Sequence, residues 1–328
     1  MKVLLTGANG FVGSHILECL LAKGLATVVL LRPQSDRRFI APLLARVEVR
    51  EGSVTQPDRL RSALREVTHV VHCAGKTKSV RVGEFYEINQ LGTRHMVEAV
   101  NACRDSVRRL VQVSSLAASR PATSGAPARE DDSPSPVSEY GKSKLAAEEE
   151  VRRGCQTEFV ILRPAAVYGP RDSDFFTIFK AVQAHFCPRF GGGRQQLSLV
   201  FVRDLAEAIV ACLTHPAAAN RTHHVASPEV VTARQLTQQI AELMSQWTFS
   251  PPVPVALLWP MCLLADAVTR LTCRPRILSR QKYPELRASG WVCDVTRLRD
   301  EIGFTCATSL RQGLAETMRW YRENGWLS

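Results

Sequence analysis

The sequence predicts an α/β protein, a doubly wound parallel sheet followed by a smaller, mixed C-terminal part. Three observations predict it. Short apolar, β-branched runs recur at 3–6, 27–31, 47–50, 69–73, 110–114 and 159–162, each about the length of a strand. Stretches of helical period lie between them, near 12–23, 58–66, 85–103 and 139–153, and such alternation builds a parallel sheet covered on both faces. The unbroken runs Val28-Val29-Leu30-Leu31 and Val70-Val71 suit strands with no wet face.

The first run leads directly into Thr6-Gly7-Ala8-Asn9-Gly10-Phe11-Val12-Gly13, and Phe11, Val12, Ile16, Leu17 and Leu20 follow at roughly helical spacing. A glycine-rich turn between strand and helix brings backbone N–H groups up to a phosphate at the positive end of the helix dipole. Gly7 is expected to permit the tight turn, Gly10 the approach of a pyrophosphate, and Gly13 the contact of helix with sheet. Strand before and helix after meet the context test for a dinucleotide motif, so the sheet is expected to be a Rossmann fold.

At 328 residues the chain can bury a large core, and its 45% hydrophobic and 22% charged residues are ordinary for a globular protein. Lys and Arg number 42 against 31 Asp and Glu, a net charge of +11. They are spread along the chain without a basic block interleaved with aromatics, so nucleic acid is not expected as a partner. An anionic cofactor and a generally basic surface account for the charge. Ten cysteines, at 19, 73, 103, 155, 187, 212, 262, 273, 293 and 306, form no Cys-x-x-Cys pair and no zinc spacing with histidine. Cys19 and Cys73 read as core thiols. The first strand begins at Lys2 with no apolar leader ahead of it. A reduced, cytoplasmic protein without a metal is the expectation.

Residues 119–138, rich in Ser, Pro, Ala and Gly and then Glu130-Asp131-Asp132, read as a surface loop. After Pro164 the alternation becomes irregular: 175–186, 204–213 and 232–247 look helical, 191–193 is a glycine turn and 199–202 strand-like. The expected division is a nucleotide-binding domain over 1–170, to which 196–226 returns. A smaller substrate-binding domain takes 171–195 and 227–328. Residues 253–269 are markedly apolar but contain Pro254, Pro260 and Asp266 and fall short of a bilayer span. Core, or a lid over an apolar substrate, is expected there ahead of a membrane helix, with interfacial attachment the lesser alternative.

A second cluster carries chemistry: Ser138-Glu139-Tyr140-Gly141-Lys142-Ser143-Lys144. Ser138 fits an N-cap, which sets Tyr140 and Lys144 one helical turn apart on one face. Free Tyr titrates near pH ~10 and is a poor base at neutrality. A nearby ammonium favours phenolate, so Lys144 is expected to lower the Tyr140 pKa. Such a Tyr passes a proton to or from an alcohol oxygen while a nicotinamide carries hydride.

Together these residues resemble the extended branch of the short-chain dehydrogenase/reductase superfamily, over essentially the whole chain. Thr6–Gly13 matches T-G-x-x-G-x-x-G and Tyr140–Lys144 matches Y-x-x-x-K. His72-Cys73-Ala74-Gly75, Asn89-x-x-Gly92-Thr93, Leu162-Arg163-Pro164 with Val167-Tyr168-Gly169-Pro170, and Val202-x-Asp204-Leu205-Ala206 follow in the family's order. The resemblance implies a hydroxyl after the fifth strand that hydrogen-bonds the substrate oxygen. Ser115 is favoured over Ser114 for it. Tyr140 is then the acid/base and Lys144 the ribose ligand. The implied cofactor contacts are Thr6, Gly7, Asn9, Gly10, Phe11, Val12 and Gly13, then Arg32, Arg37, Ser53, Val54, Cys73, Ala74, Gly75, Asn89, Tyr140, Lys144, Pro164 and Val167. Ser53 stands where the family often has Asp. A homodimer is implied by the same analogy.

Dinucleotide folds place an acid about 20 positions past the glycines for the ribose hydroxyls. Here that place holds Arg32, with Arg37 and Arg38 in the same loop. Guanidinium groups suit a 2′-phosphate, so NADP(H) is expected over NAD(H). Sugar-nucleotide members of the family usually carry an Asn before Y-G-P and an Arg before V-x-D. This chain has Ala165-Ala166 and Leu197-Ser198. The expected reaction is therefore hydride transfer on a carbonyl or secondary alcohol of a relatively apolar small molecule, as in relatives resembling dihydroflavonol reductase and 3β-hydroxysteroid dehydrogenase. An NAD-dependent nucleotide-sugar epimerase or dehydratase is the alternative, and Arg171, Arg189 and Arg194 keep an anionic substrate open. Lys76, Lys78, Ala166 and Arg171 are the candidate substrate contacts. The Phe175-Phe176 pair reads as core or as cleft lining.

Overall fold

The computed structural model describes residues 1–272 and 279–328, so Cys273 lies outside the described residues. Strand β1 (Lys2–Thr6) leads through the glycine turn to α1 (Phe11–Ala22), then to β2 (Ala26–Leu31), β3 (Glu48–Glu51), α2 (Pro57–Ala63) and β4 (His69–His72). The helix expected over 85–103 is composite: a single turn α3 (Gly83–Phe85), a π-helical segment Tyr86–Leu91, and α4 (Gly92–Ala102). β5 (Arg109–Val113), α5 (Glu139–Gly154) and β6 (Glu158–Pro164) complete the alternation. An excursion follows through β7 (Ala166–Tyr168), α6 (Ser173–Gln183), β8 (Arg189–Phe190), β9 (Gln196–Phe201) and α7 (Val202–Cys212), after which β10 (Arg221–Val225) rejoins the sheet.

The sheet has seven parallel strands in the order β10-β6-β5-β4-β1-β2-β3. Chain direction across it reverses at β1, so the crevice lies at the carboxyl ends of β1 and β4, where ligands of doubly wound sheets bind. Side chains alternate between two cores, as the strand period requires. Val3, Leu5, Val29, Leu31 and Val71 face Ile16, Leu17 and Leu20 of α1 and Leu205 and Ile209 of α7. Leu4, Val28, Leu30 and Val70 face Leu60, Met96, Val100 and Val151 on the other side.

The remaining elements are β11 (Val230–Thr232), α8 (Ala233–Met244), β12 (Pro252–Val253), α9 (Leu258–Thr272), α10 (Tyr283–Arg287), β13 (Gly290–Trp291), α11 (Thr296–Ile302) and α12 (Leu310–Glu323). Strands β11, β9 and β13 with β7 form a second sheet, and β8 pairs β12. Phe175 is buried and Phe176 packs beside it in a third core with Phe179, Ile240, Leu314 and Tyr321, so that pair belongs to the core. The apolar 253–269 stretch differs from plain core. Leu258 and Cys262 of α9 are buried, but Leu257, Trp259, Met261, Leu263 and Leu264 are exposed. Among the described residues no helix is long and apolar enough to cross a membrane.

Burial perturbs several titrating groups of this core. Desolvation pushes His72 down to about 3 and His223 and His224 down to about 4. It pushes Asp172 up to about 7, and Glu130 upward as well. A histidine depressed in the folded state keeps its stabilising neutrality above pH ~6.5 and loses it as acid protonates the unfolded chain. The two carboxyls act in the opposite sense. We expect unfolding to take up about one to two protons near pH ~5.5, so stability falls by roughly 1.5–3 kcal/mol per pH unit on acidification. Denaturant midpoints measured at pH 7, 6 and 5 check this; a flat profile would refute it.

Candidate active site

The glycine turn is built around positive φ and close backbone contact. Gly7 has φ +72°, and a Cβ there would lie 2.8 Å from Ala74 N at the end of β4. Gly13 packs on the turn rather than the sheet: its Cβ would stand 2.0 Å from the Gly7 carbonyl oxygen. A Cβ at Gly10 would meet only Gly7 O within 4 Å, at 3.4 Å, so a side chain there would fill a cradle instead of displacing packing. Helix α1 starts at this cradle with no side-chain cap and no acid in its first turn. Its first N–H groups therefore point at the crevice without helical partners. Phe11 and Val12 are half-buried.

Neighbouring residues brace the turn. Thr6 Oγ1 accepts the Ala74 N–H at 3.1 Å and shares a hydrogen bond with His72 Nδ1 at 2.8 Å, joining β1 to β4. Asn9 Nδ2 donates to Asp36 O at 3.1 Å, tying the turn to the loop after β2. In that loop Arg38 pairs with Asp36 at 2.9 Å and lies over the Phe39 ring. Arg32 is exposed and Arg37 half-buried. Among the described residues no side-chain hydrogen bond or ion pair engages either guanidinium. Ser53 caps its own turn through Thr55 N (3.3 Å), and the buried Val54 meets His95 Nδ1 through its carbonyl at 3.0 Å.

At the end of β4, Cys73 and Ala74 are half-buried, and burial pushes the Cys73 thiol up to about 11. Asn89, in the π-helical segment, spends its amide on the protein. It donates to Lys76 O (3.0 Å) and Ser143 Oγ (2.9 Å) and accepts the Lys76 N–H (2.7 Å), clamping the loop after Gly75 to α5.

Ser138 caps α5, accepting the Gly141 N–H at 3.0 Å. Tyr140 and Lys144 follow on one helical face at the cleft. Lys144 is buried, its Nζ donates to Val113 O at 2.7 Å, and burial pushes it down to about 8. The expected depression of Tyr140 does not occur. Burial drives it up to about 12, the Glu285 carboxylate and Cys73 act in the same direction, and a hydrogen bond from Ser115 opposes them. The ammonium beside it is spent on Val113 O instead.

The two candidate serines face opposite ways. Ser115, half-buried, accepts the Ala117 N–H at 3.2 Å and meets Tyr140. Ser114 turns inward and donates to Glu148 Oε1 at 2.6 Å. Glu148, fully buried, also receives Arg163 through two bonds of 2.8 and 2.7 Å and Arg152 at 2.7 Å. A buried ion pair thus lies one helical turn beyond Lys144 on α5.

A cavity of about 560 Å³ opens on Tyr140. Phe85, Val80, Val82 and Trp259 supply apolar wall, while Glu139, Lys282 and Glu285 bring charge. Of the candidate substrate contacts, Lys76 pairs with Glu84 and Lys78 with Asp174. Arg171 turns to α1, where Ser14 Oγ (3.0 Å) and Glu18 hold it. Ala166 is exposed at the start of β7, with Val167 half-buried and Pro164 buried beside it. Sequence reasoning missed α10: Glu285 accepts the Ser138 hydroxyl, and Lys282 Nζ lies 5.6 Å from the Tyr140 ring centroid. Nothing in the chain signals this, since some 140 residues separate the partners. Among the described residues no cluster of His, Cys, Asp or Glu could hold a metal.

A doubly wound sheet with a phosphate cradle and a Ser, Tyr and Lys at one cleft is the scaffold of a dinucleotide-dependent enzyme. Residues 3–226 match the NAD dependent epimerase/dehydratase family. The chain is 26% identical to the UDP-glucose 4-epimerase of Vibrio cholerae, covering 96% of this chain and 94% of that one. It is 28% identical to the ceramide reductase of Caulobacter vibrioides, over 99% and 96%. The structure of the Thermus thermophilus UDP-glucose 4-epimerase complex with NAD superposes with a TM-score of 0.77 at 26% identity, covering 98% of this chain and 99% of that one. The chain belongs to the NAD dependent epimerase/dehydratase family, within the extended short-chain dehydrogenase/reductase superfamily.

Proposed function

We propose that this chain is an NADP(H)-dependent oxidoreductase acting on a carbonyl or secondary alcohol of a relatively apolar small molecule. The carrying observation is Tyr140: its hydroxyl is held protonated, up to about 12, beside Ser115 at a cavity with apolar walls. A phenol that keeps its proton at neutrality suits donation to the oxygen of a carbonyl being reduced. Ser115 orients that oxygen, and Lys144, anchored on Val113 O, holds the cofactor ribose. The cradle at Gly7, Gly10 and Gly13 and the bare start of α1 fit a pyrophosphate. When bound, the reduced nicotinamide supplies the hydride.

The cofactor assignment rests on Arg32 and Arg37, which are free to meet a 2′-phosphate where a ribose-binding acid would otherwise stand. Replacing Arg32 with Glu should weaken NADPH by about ten- to hundredfold while leaving NADH within a few-fold. Fluorescence titration of both reduced cofactors reads this. Equal affinities in the parent protein would overturn the NADP(H) assignment.

The Vibrio cholerae relative supports a second reading, an NAD-dependent nucleotide-sugar epimerase. Against it, Ala166 and Leu197 replace the polar anchors that the family uses, Ser198 is buried on Cys293 N, and Arg171 is taken by α1. Two assays separate the readings: oxidation of NADPH with an apolar ketone, and interconversion of UDP-glucose and UDP-galactose. Tightly held NAD released on denaturation, with sugar conversion, would replace the reductase with the epimerase.

A further inference from the structure

The first two turns of α9, residues 258–264, are apolar on both sides, whereas a surface helix ordinarily turns one polar face to water. Leu258 and Cys262 fill its buried side, while Met261 and Leu264, one helical face by spacing, are exposed together with Trp259 and Leu263, and with Leu257 in the turn just before the helix. Leu264 is 69% exposed. Trp259 also lines the Tyr140 cavity, and so do Val80 and Val82, both exposed. The mouth of the cavity thus has apolar side chains on two sides, continuous with the outer face of α9. A clustered patch of this kind marks a surface that meets a partner or a membrane.

The ion pairs around the mouth show which. In three of them the cation is the more exposed member: Arg81 79% against Glu84 20%, Arg280 43% against Asp266 19%, and Lys282 38% against Glu285 9%; in the Lys78–Asp174 pair the order is reversed. Arg287 of α10 is exposed beside them. On the α9 and α10 side, and at Arg81, the rim therefore presents positive charge outward and holds its carboxylates further in, which complements an anionic surface. A second protein chain pressed on this face would cover the mouth that its own residues line. A fluid lipid surface leaves the cavity continuous with an apolar phase. With 15 residues including Pro260 and Asp266, α9 can lie in such an interface but not cross it.

We infer that α9 and the Val80–Val82 loop seat on the surface of an anionic phospholipid bilayer, and that the cavity takes an amphiphilic substrate from it. The substrate half of this inference rests on the reductase reading; the docking half does not.

The test is cosedimentation of the full chain with vesicles of phosphatidylcholine, alone or mixed with phosphatidylglycerol, alongside reduction of a short, water-miscible ketone by NADPH. The chain should bind the mixed vesicles at least about tenfold more tightly than the neutral ones. A variant carrying Met261→Glu and Leu264→Glu should lose about tenfold or more of that binding. Its melting temperature and NADPH affinity, measured without vesicles, should not change, because both side chains point outward. Absence of binding, or equal binding by parent and variant, overturns the docking. So does conversion of a dimer to a monomer by the variant with vesicle binding intact, which would assign the face to a second copy. Ketone reduction without vesicle binding defeats the docking and spares the reductase reading. Vesicle binding without reduction of any ketone supports the docking and defeats the reductase reading with the substrate half.

Discussion

Replacing Tyr140 with Phe should cut turnover by about 10²–10⁴-fold while NADPH binding stays within a few-fold. The size follows from what the hydroxyl does. It faces the cavity beside Ser115, burial keeps its proton in place, and Glu285 reinforces that state. The Tyr86 hydroxyl is already engaged, donating to Glu139, and that of Tyr321 donates to Asp172 O. The ring itself packs near Phe85 and under Lys282, contacts that Phe retains. Stability should therefore change little, and a kcat measured beside a cofactor titration isolates the proton step. Retained turnover would remove Tyr140 from the chemistry.

The largest effect on stability is expected from Glu148. It is buried with Arg163, and Ser114 and Arg152 complete its hydrogen bonds. Deleting one partner leaves an uncompensated charge in the interior, which costs about 3–5 kcal/mol. Glu148→Ala should lower Tm on the order of 10 °C. Arg163 carries its own burden, since its buried Nη1 has no hydrogen-bond partner among the described residues. The double variant Glu148→Leu, Arg163→Met should consequently be more stable than either single one. Thermal melts of the three proteins decide this. A mild single variant and no recovery in the double would mean that water reaches the pair.

The two predictions differ in how far the chain announces them. Tyr140 and Lys144 are one helical turn apart, and the glycines of the cradle stand within seven positions, so local spacing alone reveals both. The sheet was legible for the same reason, through runs such as Val28–Leu31. Strand β10 was not, because Arg221-Thr222-His223-His224-Val225 is polar and its histidines are nonetheless buried. The Glu148–Arg163 pair joins a helix to a strand and gives no periodic signal. The direction of the Tyr140 shift was misjudged because the sequence shows the neighbouring Lys144 but not the burial or Glu285, contributed by α10. The outward apolar face of α9 escaped for a related reason. Composition tells that a segment is apolar, and only the packing of its neighbours tells which side they leave uncovered.

The path of the chain through the first core has a consequence for how the protein is made. Val3, Leu5 and Ile16 share that core with Leu205 and Ile209, and also with Leu298, Ile302 and Cys306. Domains emerging from the ribosome generally fold in order, N-terminal first. Here α1 reaches the earliest strands soon after they emerge, but the same face is completed only by α7 and, over β10, by α11 near residue 300, and β6 keeps an unpaired edge until β10 joins it. During that interval the nascent chain exposes Val- and Leu-rich strands with an unpaired edge. Chaperone dependence and aggregation in vivo should therefore respond to changes in α11 as sharply as to changes in β1.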